Sequence, residues 1–541
     1  MKHINTITLI LVAAAVVFTL IFMFSPASLG IYERGTEYAK YFDSDAVTVV
    51  NITISESNWA DILENPTAEE FHVADVEINS DVYSGVGIRT KGMTSLSSVA
   101  SSDSDRYSFK VKADEYVSGQ SFAGLDEFVL NNNYQDPTYM KEFLSYELME
   151  EMDVPTPLHA YAAVYINGEY FGLYLMVEAV EEDFAMRNFG SDYGELYKPE
   201  TMDMGGDMPQ NGDRPSIPDM QQRGRTGEEF TMPDGFSMTD MQQGGRMEEE
   251  FTMPDRFSMT DMQQGGRTEG KFTMPDGFSI PDKGGRFGSG GGADLVYTDD
   301  EISSYSQIFD NAVFDGVKNA DKTRVIESLK ALAEGDNLEK YVDVDEVLRY
   351  FAANTALVNL DSYVSSLKHN YYLYEEDGRI SILPWDFNLA FGTFQSGDAE
   401  SVVNFPIDTP VSEEISLDER PLIGSLLEVD AYKEQYHEYL GYIAEEFFGT
   451  SFADRIDSID SLIRDYVRTD PTAFYSYDEY KDGLSAIKTY GELRAESITG
   501  QLKGVIPSTH EEQKNSKTLV NADALDIQSL GTMFGGGFGG R

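Results

Sequence analysis

The stretch NLDSYVSSLKHNYYLYEEDGRISILPWDFNLAFG, from Asn359 to Gly392, holds the residue types best suited to chemistry. Asp361 comes first, then Asn370 beside a tyrosine-rich strand, then Asp386 inside Trp-Asp-Phe-Asn. Hard divalent cations take oxygen ligands, and Mg²⁺ is commonly held by one or two carboxylates plus phosphate oxygens. Phosphoryl-transfer enzymes place a base Asp, an Asn and a metal-binding Asp in this chain order. Asp386 lies between the apolar ISILPW and FNLAFG, so it is drawn inward, where an unpaired carboxylate is costly. A metal satisfies it, and so does a structural hydrogen bond. On spacing alone Asp361 fits a helix C-terminal or turn aspartate. Trp385, one of two tryptophans, suits either stacking on an adenine or a place in the core.

Phosphate also needs cations. No G-x-G-x-x-G is present outside the glycine-rich end, so the candidates are Arg89 and Lys91 in IRTKGMTSL, and Lys110 and Lys112 in SFKVKAD. Alternation puts Lys110 and Lys112 on one strand face, where Glu142, Glu147 or Glu178 could pair with one of them. Ordinary surface lysines fit the same pattern. His159 and His369 have no spaced partners that suggest a zinc site. Ser95 has no histidine or carboxylate placed to activate it, which leaves a hydrolase reading weak.

The elements that must position these residues are readable. Alternation over Val47–Ile54 and Val73–Ile88 predicts strands, with turns at Asn79-Ser80 and Ser84-Gly85, and Tyr107–Val111 continues the β character. YMKEFLSYELMEEM, Tyr139–Met152, has helical spacing between Pro137 and Pro155. HAYAAVYINGEYFGLYLMVEAV predicts a hairpin turning at Asn167-Gly168. Asp321–Gly335 and Val344–Leu360 predict helices, and His369–Tyr374 with Ile380–Pro384 a second hairpin turning at Asp377-Gly378. The last third is largely helical.

Between these halves the composition changes. FTMPDGFSMTDMQQGGR begins at Phe230 and returns at Phe251 and, in part, at Phe272, a period of 21 residues. Met, Gly, Gln, Pro and Asp dominate, too little apolar area to offset backbone ordering, which predicts disorder. The expected organisation is therefore 1–30 as a signal anchor or cleaved signal peptide, 45–200 and 293–505 as two parts of one domain, 201–292 as a disordered insertion, and 506–541 as a flexible tail.

Lys2 and His3 precede an uncharged apolar run, Ile7–Phe24, about the minimum length for a membrane-spanning helix. The positive flank stays inside, so the body is expected outside: membrane-anchored at the cell surface, or secreted if the segment is cleaved. The absence of cysteine excludes disulfides and thiolate zinc sites. A net charge of −54 argues against nucleic-acid binding, which needs clustered Lys and Arg.

IRTKGMTSL, SFKVKAD, FVLNNNYQDPTYMKEFLSYELMEEMDVPTP, VYINGEYFGLYLMVEAVEEDF, GELYKPE, HNYYLY and PWDFNLAFG, in this order, resemble the spore-coat protein H (CotH) kinase family. The resemblance runs from about Val47 to Phe448 apart from the repeats. It implies a divergent protein-kinase-like α+β fold, β-rich in its first half and mainly helical in its second. It also implies use of ATP with Mg²⁺ or Mn²⁺ to phosphorylate Ser/Thr of protein substrates. By position, Asp361 is similar to the family's catalytic aspartate and Asp386 to its metal-binding aspartate, with Asn370 a second metal or phosphate ligand. Many members have Asp where Asn388 stands, and a neutral carbonyl binds metal more weakly. Arg89, Lys91, Lys110, Lys112, Glu178 and Trp385 complete the expected nucleotide contacts. The alternative is a kinase-like surface protein without catalysis, serving adhesion or assembly of an extracellular layer. Ser237, Ser258 and Ser279 of the repeats are expected self-phosphorylation sites.

Overall fold

Seven strands close into a barrel: β1 (Thr48–Ile54), β2 (His72–Ile78), β3 (Asp81–Lys91), β4 (Ser108–Lys112), β5 (Glu127–Asn131), β6 (His159–Ile166) and β7 (Glu169–Glu178). Their order is β1-β2-β3-β4-β5-β7-β6, and the parallel pairing of β6 with β1 closes the ring. This is a computed structural model, which describes residues 36–200, 292–395 and 397–531. The expected membrane segment, the repeats with their serines, and the glycine-rich end lie outside those residues. Among the described residues no helix is long and apolar enough to cross a membrane.

Inward-facing side chains such as Val50, Ile52, Val76, Phe109, Phe128 and Met176 fill the barrel. On β1 the outward residues meet solvent, and the strand reads as a clean alternation. On β5, β6 and β7 the outward residues Val129, Tyr161, Leu175 and Val177 are buried as well, against the helical half. That double burial explains their near-continuous apolar runs.

Helix α1 (Glu56–Glu64) and α2 (Thr94–Ala100) flank the barrel, and α3 (Lys141–Glu151) and α4 (Glu182–Phe189) follow its strands. The helical half contains α5 (Asn319–Glu334), α6 (Val344–Ala356), α7 (Asp430–Tyr442), α8 (Thr450–Thr469) and α9 (Tyr477–Leu502). A three-stranded sheet, β8 (Glu195–Tyr197), β9 (Tyr371–Glu376) and β10 (Arg379–Pro384), has β9 in the middle. The expected division into a β-rich first half and a mainly helical second half is met; the closure of the first half into a barrel goes beyond it.

Asn167-Gly168 and Asp377-Gly378 turn with positive φ at both residues, as their hairpins require. Ser84-Gly85 differs from expectation. Val76 pairs with Tyr83 and Ala74 with Val86, so Ser84 and Gly85 form a bulge opposite Asp75 within one continuous strand. Gly85, with φ +70°, donates its N–H to Asp75 Oδ1 at 2.9 Å. Helix α6 also stops short of the expected Leu360. Beyond α9 the chain stays on the body: Asn404 exchanges hydrogen bonds with the Val520 backbone, and Leu530 is fully buried.

Candidate active site

Asp361 is placed by the way α6 ends. The buried guanidinium of Arg494 donates to the Thr355 and Ala356 carbonyls, and also to Val403 O and Phe405 O. A cation at a helix C-terminus satisfies its unpaired carbonyls and its dipole together. Val358 then takes φ +49°, breaking the helix, and Asp361 N–H donates to Asn359 Oδ1 at 3.2 Å. Ser362 Oγ and Asn354 Nδ2 both donate to Asn359 O, which locks the turn.

Both oxygens of the Asp361 carboxylate are then held from one segment. His369 Nε2 lies 2.7 Å from Oδ1, and Asn370 Nδ2 donates to Oδ2 and to the Asp361 carbonyl, each at 3.0 Å. Burial pulls the His369 pKa down, but Asp361, with Asp386 and Glu200 behind it, raises it above the ordinary imidazole value. Asn370 Oδ1 accepts no hydrogen bond among the described residues.

Asp386 follows the end of β10 with φ +60°, a left-handed conformation that Asp tolerates better than most residues. Its N–H donates to Tyr146 Oη at 3.2 Å. No described side chain donates to its carboxylate. Burial pushes its pKa up, and Asp361 adds to this, while Lys91, His369 and Lys198 oppose it. A carboxylate short of donors is one that would hold a divalent cation, and the cations around it would meet the phosphates that come with the metal. Among the described residues no three His, Asp or Glu side chains group as a metal cage. Mg²⁺, held by few protein oxygens and several from phosphate and water, asks for no such cage.

The barrel contributes the third part. The register sets Lys91 opposite Ser108 and Arg89 opposite Lys110, so Arg89, Lys91, Lys110 and Lys112 all point outward from the barrel. Among the described residues only Lys91 of these four lacks a carboxylate partner. Its ammonium donates to Asn131 Oδ1 at 3.2 Å, and Asn131 Nδ2 donates to both oxygens of Glu142, at 2.9 and 3.0 Å. Burial lowers the Lys91 pKa, against the pull of Asp386 and Glu142. Burial, reinforced by Asp386, raises Glu142 to about 8. Tyr146 Oη, one helical turn beyond Glu142, donates to Glu142 Oε1 at 3.2 Å and so ties α3 to the Asp386 backbone.

Lys91, Asp361, Asn370, Trp385 and Asp386 therefore share one place. The Lys91 ammonium lies 5.4 Å from the Trp385 ring centre, and Tyr372 packs edge-on against that ring. The other expected residues have partners of their own. Arg89 is bound to Glu69 beside the Phe71 ring, and Lys110 to Glu127 at 2.8 Å. Lys112 approaches Asp114 and Glu115. Glu178 pairs in register with Phe128, which turns it toward the barrel interior, where it binds Arg187 and Tyr38. Asn388 directs its amide to Tyr134 O at 3.1 Å.

Sequence reasoning linked Glu142 to Lys110 or Lys112, whereas the structure links it to Lys91. It passed over Asn131, Tyr146 and Lys198, and it gave His369 no metal role. The LNNN run at the end of β5 and the lysine of YKPE were the available signals.

A scan of protein families matches the CotH kinase protein family over residues 88–234 and 283–498. These ranges include Lys91, Asn131, Glu142, Asp361, Asn370 and Asp386. A 78-residue segment, 14% of this chain, is 32% identical to the inner spore coat protein H of Bacillus subtilis (strain 168). That segment spans 22% of the length of that curated relative. With more than half of its length matched, and the matched length carrying all three parts of the site, the chain belongs to the CotH kinase family.

Proposed function

We propose that this protein is an ATP-dependent Ser/Thr protein kinase acting outside the membrane, at a cell surface or coat. The observation that carries this reading is the convergence of Lys91, Asp361, Asn370 and Asp386 from barrel, helix end and hairpin. The similarity to a spore coat protein supports a surface or coat setting, and the apolar run at Ile7–Phe24 supports export with the segment as anchor.

Asp361, with Oδ1 held by His369 and Oδ2 by Asn370, orients an acceptor hydroxyl through its remaining lone pairs and takes its proton. Asp386 and the free Asn370 Oδ1 are the residues that would hold a divalent cation. When bound, Mg²⁺ or Mn²⁺ supplies charge neutralisation on the phosphates. Lys91 donates to phosphate oxygens from the barrel side, and Asn131 and Glu142 fix where its ammonium sits. Trp385 offers its indole edge or face to the nucleotide. Positioning and electrostatics do most of the work in such a reaction. Protein substrates are the expected partners, the repeat serines Ser237, Ser258 and Ser279 among them.

A second reading, a kinase-like surface protein without catalysis, is favoured by Asn388 alone, a neutral residue whose amide is occupied by Tyr134 O. Incubation of the full-length protein with labelled ATP and Mn²⁺ or Mg²⁺ separates the two. Label on protein together with a nucleotide-induced rise in Tm supports the kinase. Neither effect supports the second reading.

A further inference from the structure

Lys198 lies in the segment leaving β8, and Lys198 N–H donates to Asn311 O at 2.9 Å. Its ammonium is 6.0 Å from the centre of the Trp385 ring, the same ring that Lys91 approaches to 5.4 Å. The chain has 40 Lys and Arg against 94 Asp and Glu. Two lysines at one indole are therefore unusual in their placement, and the two ammonium groups repel each other. Neighbouring basic residues are closely matched: Arg89 with Glu69, and Lys110 with Glu127 at 2.8 Å. Among the described residues Lys91 has only the neutral Asn131 as hydrogen-bond partner, and Lys198 has Glu200 at a stretched 3.4 Å. Cation–π attraction does not cancel the repulsion of two like charges, and Asp386, which faces both ammonium groups, is one carboxylate for two lysines. A bound anion between them supplies the second negative charge.

Resting on the kinase reading above, we infer that Lys198 and Lys91 form a two-lysine clamp on the phosphates of a nucleoside triphosphate, set on either strand system beside Trp385. Lys91 comes from the barrel and Lys198 from the small sheet, so one anion bridges the two halves of the site. The clamp supplies the phosphate contacts that a glycine-rich loop provides in other nucleotide sites, and this chain has no such motif outside its glycine-rich end. Side chains of Lys198 and Glu200 remain about one-third exposed, which leaves the ammonium free to exchange Glu200 for phosphate.

Trp59→Phe leaves Trp385 as the only tryptophan, so its fluorescence reports on this site in the full-length protein. Titrations with ATP, ADP and AMP, each with Mg²⁺, are compared in that background with Lys198→Gln, Lys198→Arg and Glu200→Gln added singly. The clamp predicts that Lys198→Gln weakens ATP about tenfold, the worth of one charge-assisted hydrogen bond, and AMP much less. Lys198→Arg retains most of the affinity, and Glu200→Gln leaves ATP binding the same or tighter. Unchanged ATP affinity in Lys198→Gln overturns the inference. Equal losses for ATP and AMP, or a loss in Glu200→Gln matching that in Lys198→Gln, also overturn it, because they indicate a purely structural ion pair. If ATP fails to bind the parent protein, the kinase reading itself is contradicted and the clamp falls with it.

Discussion

Lys91 and Glu142 are joined through a third residue: Asn131 accepts from the lysine at 3.2 Å and donates to both oxygens of the glutamate. The amide therefore adds a polar link between barrel and α3 to the packing of Phe143 and Tyr146 on β6, and it spares Glu142 from facing Lys91 bare. Asn131→Leu leaves Glu142 short of two donors in a buried place and Lys91 without an acceptor. An unsatisfied buried group costs about 1–3 kcal/mol. Urea unfolding of the variant is expected to show a loss of that size, with ATP affinity falling in parallel. Unchanged stability would show that solvent or Tyr146 replaces the amide without cost.

Arg106 and Asp470 make the most deeply buried ion pair between the barrel and the helical half, at 2.9 Å with both side chains fully enclosed. Arg106 also donates to Asn132 O and Thr472 Oγ1, and packs on the Tyr174 ring at 4.7 Å. Removing one partner of a buried pair is far worse than removing both, since it strands a charge. Arg106→Met is expected to lose about 3–5 kcal/mol in denaturant unfolding, and the double variant Arg106→Met/Asp470→Leu to recover part of it. A double variant no better than the single would contradict this account.

His159 predicts how the fold responds to acid. It is buried on β6 between Phe143 and Tyr146, with Nδ1 3.3 Å from Pro157 O and Nε2 without a partner. Burial lowers its pKa from 6.5 to about 4. A depressed base contributes stability that is present above pH 6.5 and lost as pH falls through about 4. His159→Phe keeps an aromatic ring against Phe143 and removes the titration. Between those limits the variant should gain on the wild type by up to about 3 kcal/mol in chemical unfolding. A pH-independent difference between the two proteins would contradict the assignment.

How far the site is legible before the fold depends on distance along the chain. Asp361, His369 and Asn370 meet within nine residues, so a turn and a strand end suffice to bring them together. Asp386 follows by way of a hairpin whose Asp-Gly turn is visible. The Lys91–Asn131–Glu142 connection needs the register of three strands, and alternation alone makes Lys91 and Lys110 equivalent. What separates them is Glu127, which pairs with Lys110 but is nowhere near it in sequence terms that patterning can see. Glu178 was misplaced for the same reason: one residue of register decides between the barrel interior and the outer face. The short helix α2, TSLSSVA, is rich in serine and β-branched residues, and tertiary packing of Leu96 and Val99 holds it rather than propensity. Helix α1 went unread, although Ser55 accepts from Asn58 N–H at its N-terminus.

Transfer of labelled phosphate from ATP by the full-length protein, beside Asp361→Asn and Asp386→Ala, tests the central claim most directly. Asp361→Asn keeps the shape of the side chain but removes the proton acceptor, so nucleotide binding should persist while transfer falls at least about a hundredfold, the usual worth of general-base catalysis. Asp386→Ala should lose metal-dependent nucleotide binding and transfer together. Label that survives both substitutions at the wild-type rate would contradict the assignment of this site.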